Sequence, residues 1–152
     1  MSPPLLLIDV DGVLSVFGAV SADPADVLAT QVDGNLHLLS RRAARVLLRL
    51  SASFDCVWCT GWEERADEHL PRLLGLPAGW PHLVLGPGWK LPAIDAFAGP
   101  ERPLAWIDDV HGPDEQAWAS ERPGPTLLVT TEPAVGLTEA HAGALEAWAA
   151  RR

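Results

Sequence analysis

Five short apolar runs, at positions 5–9, 54–60, 82–85, 104–108 and 126–130, recur along this chain, and the stretches between them carry helical periodicity. Such runs, bounded by Gly, Pro and Asp, read as buried strands. Strands that alternate with helices imply a parallel sheet. Parallel neighbours need a crossover, and the crossover helix must bury its apolar stripe on a face of the sheet. The expected class is therefore α/β, with helices on both faces of a mainly parallel sheet.

The helical stretches are legible one by one. Residues 40–50 offer Ser40 as N-cap and place Ala43, Val46, Leu47 and Leu50 on one stripe. Residues 63–74 follow, with acids in the first turn, where the helix dipole favours them. Stretches 90–97, 113–119 and 138–150 complete the set. One region breaks the alternation. Around Asp33-Gly34, residues 27–38 alternate in the manner of a β-hairpin with a tight two-residue turn, which predicts a small flap over about 14–39. The Pro- and Gly-rich segment 76–88 reads as loop around a short third strand.

With 152 residues the expectation is one domain, 1–152, burying roughly 70% of the surface its unfolded chain exposes. The apolar run from Leu5 is cut by Asp9, Pro3 and Pro4 occupy the place of a basic leader, and no stretch approaches the ~20 residues of a membrane span. The expected location is the cytoplasm, with no membrane partner. A net charge of −9 disfavours tight binding to a polyanion. Arg41, Arg42, Arg45 and Arg49 recur at helical spacing, as a solvated helix face or as a local basic groove. Cys56 and Cys59 have C-x-x-C spacing, but an offset of three along a strand sends the two sulfurs to opposite faces, and there is no second pair to complete a zinc site. They read as buried structural thiols.

The first run continues as LLLIDVDG, Leu5 to Gly12. A buried strand here delivers two carboxylates, Asp9 and Asp11, to a turn at Gly12, where the backbone bends and gives them different angles. An acid ending a buried apolar run carries a desolvation cost with no structural return. The second run ends in Thr60-Gly61 and the fourth in Asp108-Asp109, while Lys90, the one lysine of the chain, opens the helix after the third. Open parallel sheets bind ligands beyond the carboxyl ends of their strands. Each residue also has a plain reading. Thr60 can be an ordinary strand residue, Asp108-Asp109 can cap the following helix, and Lys90 can lie on the surface.

In this order the set resembles the haloacid dehalogenase superfamily: D-x-D-G-V, an apolar strand ending in Thr, a Lys, and an apolar strand ending in D-D. The likeness covers nearly the whole chain. It implies a three-layer Rossmann-like fold whose five strands lie in the order 5-4-1-2-3, with no large cap. It makes Asp9 the nucleophile that forms an aspartyl-phosphate, and Asp11 the acid that protonates the leaving oxygen and then the base that activates water. Thr60, Gly61 and Lys90 would hold the phosphoryl oxygens. Asp9, Asp108, Asp109 and the backbone carbonyl of Asp11 would position Mg²⁺.

The chemistry of the residues agrees. Two like charges ~5 Å apart at an effective dielectric of ~20 repel by about 3 kcal/mol, so four converging acids need a cation. Oxygen ligands without His or Cys select a hard ion such as Mg²⁺. Crowding should also raise the pKa of one carboxyl, with Asp11 the candidate because its role requires a proton. Within the superfamily, dehalogenases lack the second aspartate and phosphatases have it, so Asp11 favours phosphate release.

The expected activity is an Mg²⁺-dependent phosphomonoester hydrolase acting on a phosphorylated small molecule or macromolecular end. Two alternatives stand beside it. The chain is also similar to small superfamily members associated with RNA-repair proteins, which suggests a nucleic-acid 3′-phosphatase. A non-catalytic phosphate-binding domain is the other. Trp62 and Trp89 are the candidates to line the pocket mouth, and His37 and His111 to touch substrate, with packing the plainer role for both histidines. Substrate identity and oligomeric state have no signal in the chain.

Overall fold

The computed structural model describes residues 2–152. Its main sheet is parallel and four-stranded, built from β1 (Leu5–Ile8), β5 (Asp55–Trp58), β6 (Leu104–Asp108) and β7 (Thr126–Thr130) in the spatial order β5-β1-β6-β7. The central β1 is LLLI with every residue buried. The reason is two-sided cover. Leu6 and Ile8 enter one apolar cluster with helices α1 (Arg41–Leu50), α2 (Glu64–Leu74) and α5 (Glu139–Ala149). Leu5 and Leu7 enter another with α3 (Lys90–Ala98) and α4 (Pro113–Glu121). The result is three layers, and a strand buried on both faces reads as an unbroken apolar run.

The expected fifth strand does not form. Of residues 82–85, only His82 makes a bridge, to Trp58, so the five-stranded order 5-4-1-2-3 is corrected to four strands. Pairing with β5 is confined to Trp58, whose N–H donates to the Pro81 carbonyl at 2.8 Å and whose carbonyl accepts from the Leu83 N–H at 2.9 Å. Pro81 has no N–H to give a ladder, and the Leu85 N–H donates to the Glu63 carboxylate at 2.7 Å. Asp67 fixes the preceding loop by accepting from the backbone N–H groups of Gly79 and Trp80 and from the Trp58 indole.

The helix and hairpin expectations match closely. Ser40 caps α1 by accepting from the Ala43 N–H at 3.0 Å, and Ala43, Val46, Leu47 and Leu50 are buried. Thr138 caps α5. The flap is a three-stranded antiparallel sheet, in which the hairpin of β3 (Val27–Val32) and β4 (Asn35–Ser40) gains the short β2 (Ser15–Val16). Asp33 and Gly34 both have positive φ, 52° and 82°, as a tight hairpin turn requires. Cys56 and Cys59 fall in the two different clusters, hence on opposite faces of the sheet. Among the described residues no helix is long and apolar enough to cross a membrane.

Candidate active site

The carboxyl ends of β1, β5 and β6 open onto one cavity of about 490 Å³, lined by Asp9, Asp11, Thr60, Gly61, Lys90 and Asp109 among others. Asp9 follows the last residue of β1, its N–H still bonded to the Ile107 carbonyl, so its backbone is an extension of the sheet. The chain then turns sharply. Gly12 has a φ of 82°, and a Cβ there would stand 2.6 Å from the Asp109 side chain, so no other residue fits both the turn and its neighbour. Its carbonyl accepts from the Thr131 hydroxyl at 2.8 Å. Thr131 had no separate signal in the sequence, although its position just past the last strand is where polar residues gather.

Charge is concentrated on this floor. Lys90 is only 8% exposed, which excludes a surface lysine. It donates to Asp108 Oδ2 at 2.7 Å and lies 3.4 Å from Asp9 Oδ1. Its burial opposes the positive charge, but Asp9 and Asp108 outweigh burial and hold the lysine ionised. Burial likewise works to raise the Asp108 carboxyl, and Lys90 overrides it, leaving Asp108 below the usual carboxylate range. Asp9 fares differently. Burial, aided by the charges of Asp108 and Asp109, pushes it up to about 7 despite Lys90 and the Val10 N–H. Asp109 is raised too, by burial and by Asp108. The negative charge thus exceeds what one lysine neutralises.

Asp9, Asp108 and Asp109 each offer a carboxylate oxygen, and these atoms lie within 4.8 Å of one another. An all-oxygen set with surplus negative charge fits a hard divalent cation. Asp108-Asp109 do not cap the next helix, whose N-cap is Gly112 without a side-chain bond.

Thr60 is buried, and its Oγ1 accepts from the Trp62 N–H at 3.2 Å, which shapes the turn after β5. Gly61 lies under Trp89, where a Cβ would meet the indole at 3.3 Å. Trp89 itself has a φ of 64° and is 57% exposed. Both tryptophans named from the sequence line the cavity, as does His37. His111 instead packs its ring edge-on to Trp106 and hydrogen-bonds Thr130. Trp89 also borders a second lobe of about 390 Å³, walled by Trp106, Val110, Asp114 and Glu115. Asn35 and Arg65 complete the first lobe and were not singled out in the sequence. They come from the flap and α2, and only the tertiary fold brings them over the sheet.

The α1 arginines do not reach the cavity. Arg42 bonds the Val135 carbonyl, Arg45 pairs with Asp26 at 3.0 Å, and Arg49 pairs with Glu139 and Glu146. A family model described as "HAD domain in Swiss Army Knife RNA repair proteins" matches residues 5–142. Among curated proteins none matches.

Proposed function

The chain belongs to the family of HAD domains in Swiss Army Knife RNA repair proteins, and from that premise we propose that it hydrolyses phosphate monoesters through an aspartyl-phosphate on Asp9. One observation carries this reading: Asp9, Asp11, Thr60, Gly61, Lys90 and Asp109, from separate elements, line one cavity at the carboxyl end of the sheet. Asp9 Oδ1 is engaged by the Val10 N–H at 2.8 Å and faces Lys90, so Oδ2 is the nucleophilic oxygen.

In the first half-reaction Oδ2 attacks phosphorus, the ester P–O bond breaks, and Asp11 gives its proton to the departing oxygen. In the second, Asp11 takes a proton from water as the water oxygen attacks phosphorus. The bond to Asp9 breaks, and phosphate leaves. Thr60, the Gly61 N–H and Lys90 hold the phosphoryl oxygens through both displacements. Asp9, Asp108, Asp109 and the main-chain carbonyl of Asp11 would hold Mg²⁺, which when bound supplies positive charge to the phosphoryl group and keeps Asp9 ionised. The elevated Asp9 pKa supports such a requirement.

A second reading, that the substrate is a phosphorylated nucleic-acid end, is favoured by the family's description and by Trp89, an exposed indole on the cavity wall that meets no other aromatic ring among the described residues. The net charge of −9 restricts it to recognition of the end itself, without a long basic track.

The test is steady-state hydrolysis of p-nitrophenyl phosphate, small phosphate esters and 3′-phosphorylated oligonucleotides, in Mg²⁺ and in EDTA. Turnover in Mg²⁺ alone, abolished by Asp9→Asn, together with a beryllofluoride adduct on Asp9, is the expected result. A folded, Mg²⁺-binding protein inactive across the panel would overturn the reading.

A further inference from the structure

Asp9 is fixed by the sheet and by Lys90, but Asp11 stands on the turn beyond the strand with its side chain 55% exposed. An exposed carboxylate normally rotates among several orientations, and a proton carrier that wanders is out of line for much of the time. This one is held. Its Oδ2 accepts from the Trp62 indole Nε1 at 3.2 Å.

Trp62 has little freedom of its own. It is buried to 6% exposure in the turn after β5, and its N–H bonds Thr60 Oγ1. The His37 ring from β4 leans on the indole, with centroids 4.9 Å apart at 58°. His37 Nδ1 is in turn hydrogen-bonded to the Ser15 hydroxyl of β2 at 2.8 Å and lies 3.9 Å from Asp11 Oδ1. The Ser15 carbonyl accepts from the Gly12 N–H at 2.7 Å, which closes the circuit on the turn that carries Asp11. Three parts of the fold, the turn after β1, the flap and the turn after β5, thus meet at one carboxylate.

On the phosphatase reading above, we propose that Trp62, buttressed by His37, is a positioning residue for Asp11. The indole N–H is a donor only, with no acceptor, and it does not ionise near neutral pH. It therefore takes no part in proton transfer. It engages one oxygen of Asp11 and leaves Oδ1 free of hydrogen bonds, available to carry the proton out to the leaving group and to take one back from water. The flap, by the same contacts, acts as a brace for the proton carrier.

The experiment compares wild type, Trp62→Phe and His37→Ala on phosphate esters whose leaving groups range from alkyl alcohols to 2,4-dinitrophenol, reading kcat/KM, which reports only the phosphorylation half. Phenylalanine keeps the ring packing and removes the donor. A poor leaving group needs the proton and a good one does not. The expected result is a loss of about 10- to 100-fold on alkyl esters and much less on the dinitrophenyl ester, so that the dependence on leaving-group pKa steepens, with His37→Ala in between. An equal loss on every ester, or none, overturns the proposal. The hydrogen bond itself is read without turnover. The indole ¹H–¹⁵N signal that disappears in Trp62→Phe should move upfield in Asp11→Ala, and an unmoved signal also overturns the brace. If wild type hydrolyses no ester, the phosphatase reading fails, and the indole signal alone decides whether Trp62 holds Asp11.

Discussion

Replacing Lys90 by Met removes the buried cation that faces Asp9 and Asp108 while keeping an unbranched chain of similar bulk. Lys90 is 90% buried at its side chain, as is Asp9, and Asp108 is 94% buried, so water compensates only in part for the lost ammonium. Orphaning one half of a buried ion pair costs about 3–5 kcal/mol, which for a chain of this length is a fall of roughly 6–20 °C in Tm. The pH dependence has a definite sign. Without Lys90, the carboxyls of Asp9 and Asp108 titrate at higher pH in the folded protein than in the unfolded chain. A native state that holds protons more tightly loses stability as pH rises. In EDTA the deficit should therefore be larger at about pH 8 than at about pH 5, because a proton neutralises what the lysine no longer does. Mg²⁺ should return part of the lost Tm in the variant, since the orphaned acids gain a cation. The assay is thermal unfolding by circular dichroism at both pH values, with and without Mg²⁺. A variant within about 2 °C of wild type at high pH in EDTA, or a deficit that grows on acidification, would refute the electrostatic account.

Gly12→Ala should cost about 1–2 kcal/mol for the left-handed backbone alone. Its new methyl group also displaces Asp109, so the Mg²⁺ concentration for half-maximal hydrolysis should rise about tenfold or more; a Mg²⁺ titration of activity checks this, and an unchanged midpoint would count against Asp109 as a ligand. Burial pushes the thiols of Cys56 and Cys59 up to about 12, so near pH 8 only about one in ten thousand is thiolate. Iodoacetamide should leave both unmodified in the folded protein and label both in denaturant, as mass spectrometry would report, and rapid native labelling of either would contradict its placement in the core. If a nucleobase stacks on Trp89, Trp89→Ala should raise KM for a 3′-phosphorylated oligonucleotide roughly 5- to 150-fold, the equivalent of about 1–3 kcal/mol. A rise just as large for an aliphatic phosphate would remove the stacking argument.

Part of the candidate site is legible in the sequence because Asp9, Thr60 and Asp108 sit where strands stop. A buried parallel strand must be apolar along its length, so Asp9 after LLLI, Thr60 after DCVW and Asp108 closing LAWID stand out as polar residues at strand ends. The missing fifth strand marks the boundary of such reasoning. The apolar letters HLVL meet the pattern, but they pair with β5 only around Trp58, and the Leu85 N–H goes instead to Glu63, the residue that precedes α2. Strand formation is decided by backbone partners, and partners distant in sequence are invisible in a local pattern.

The order of motifs along the chain determined the family, the parallel sheet, and the acids, threonine and lysine that would handle a phosphate, because covalent spacing and hydrophobic period are properties of the chain itself. Tertiary structure decided how those groups are charged and held. Only in three dimensions does a buried Lys90 meet two carboxylates, does Asp9 rise in pKa while Asp108 falls, does Asp109 close on the bare Cα of Gly12, and do His37 of the flap and Trp62 of the turn after β5 meet at Asp11. Electrostatic shifts and hydrogen bonds depend on distances of a few ångströms between residues tens of positions apart, and those distances exist only once the chain has folded.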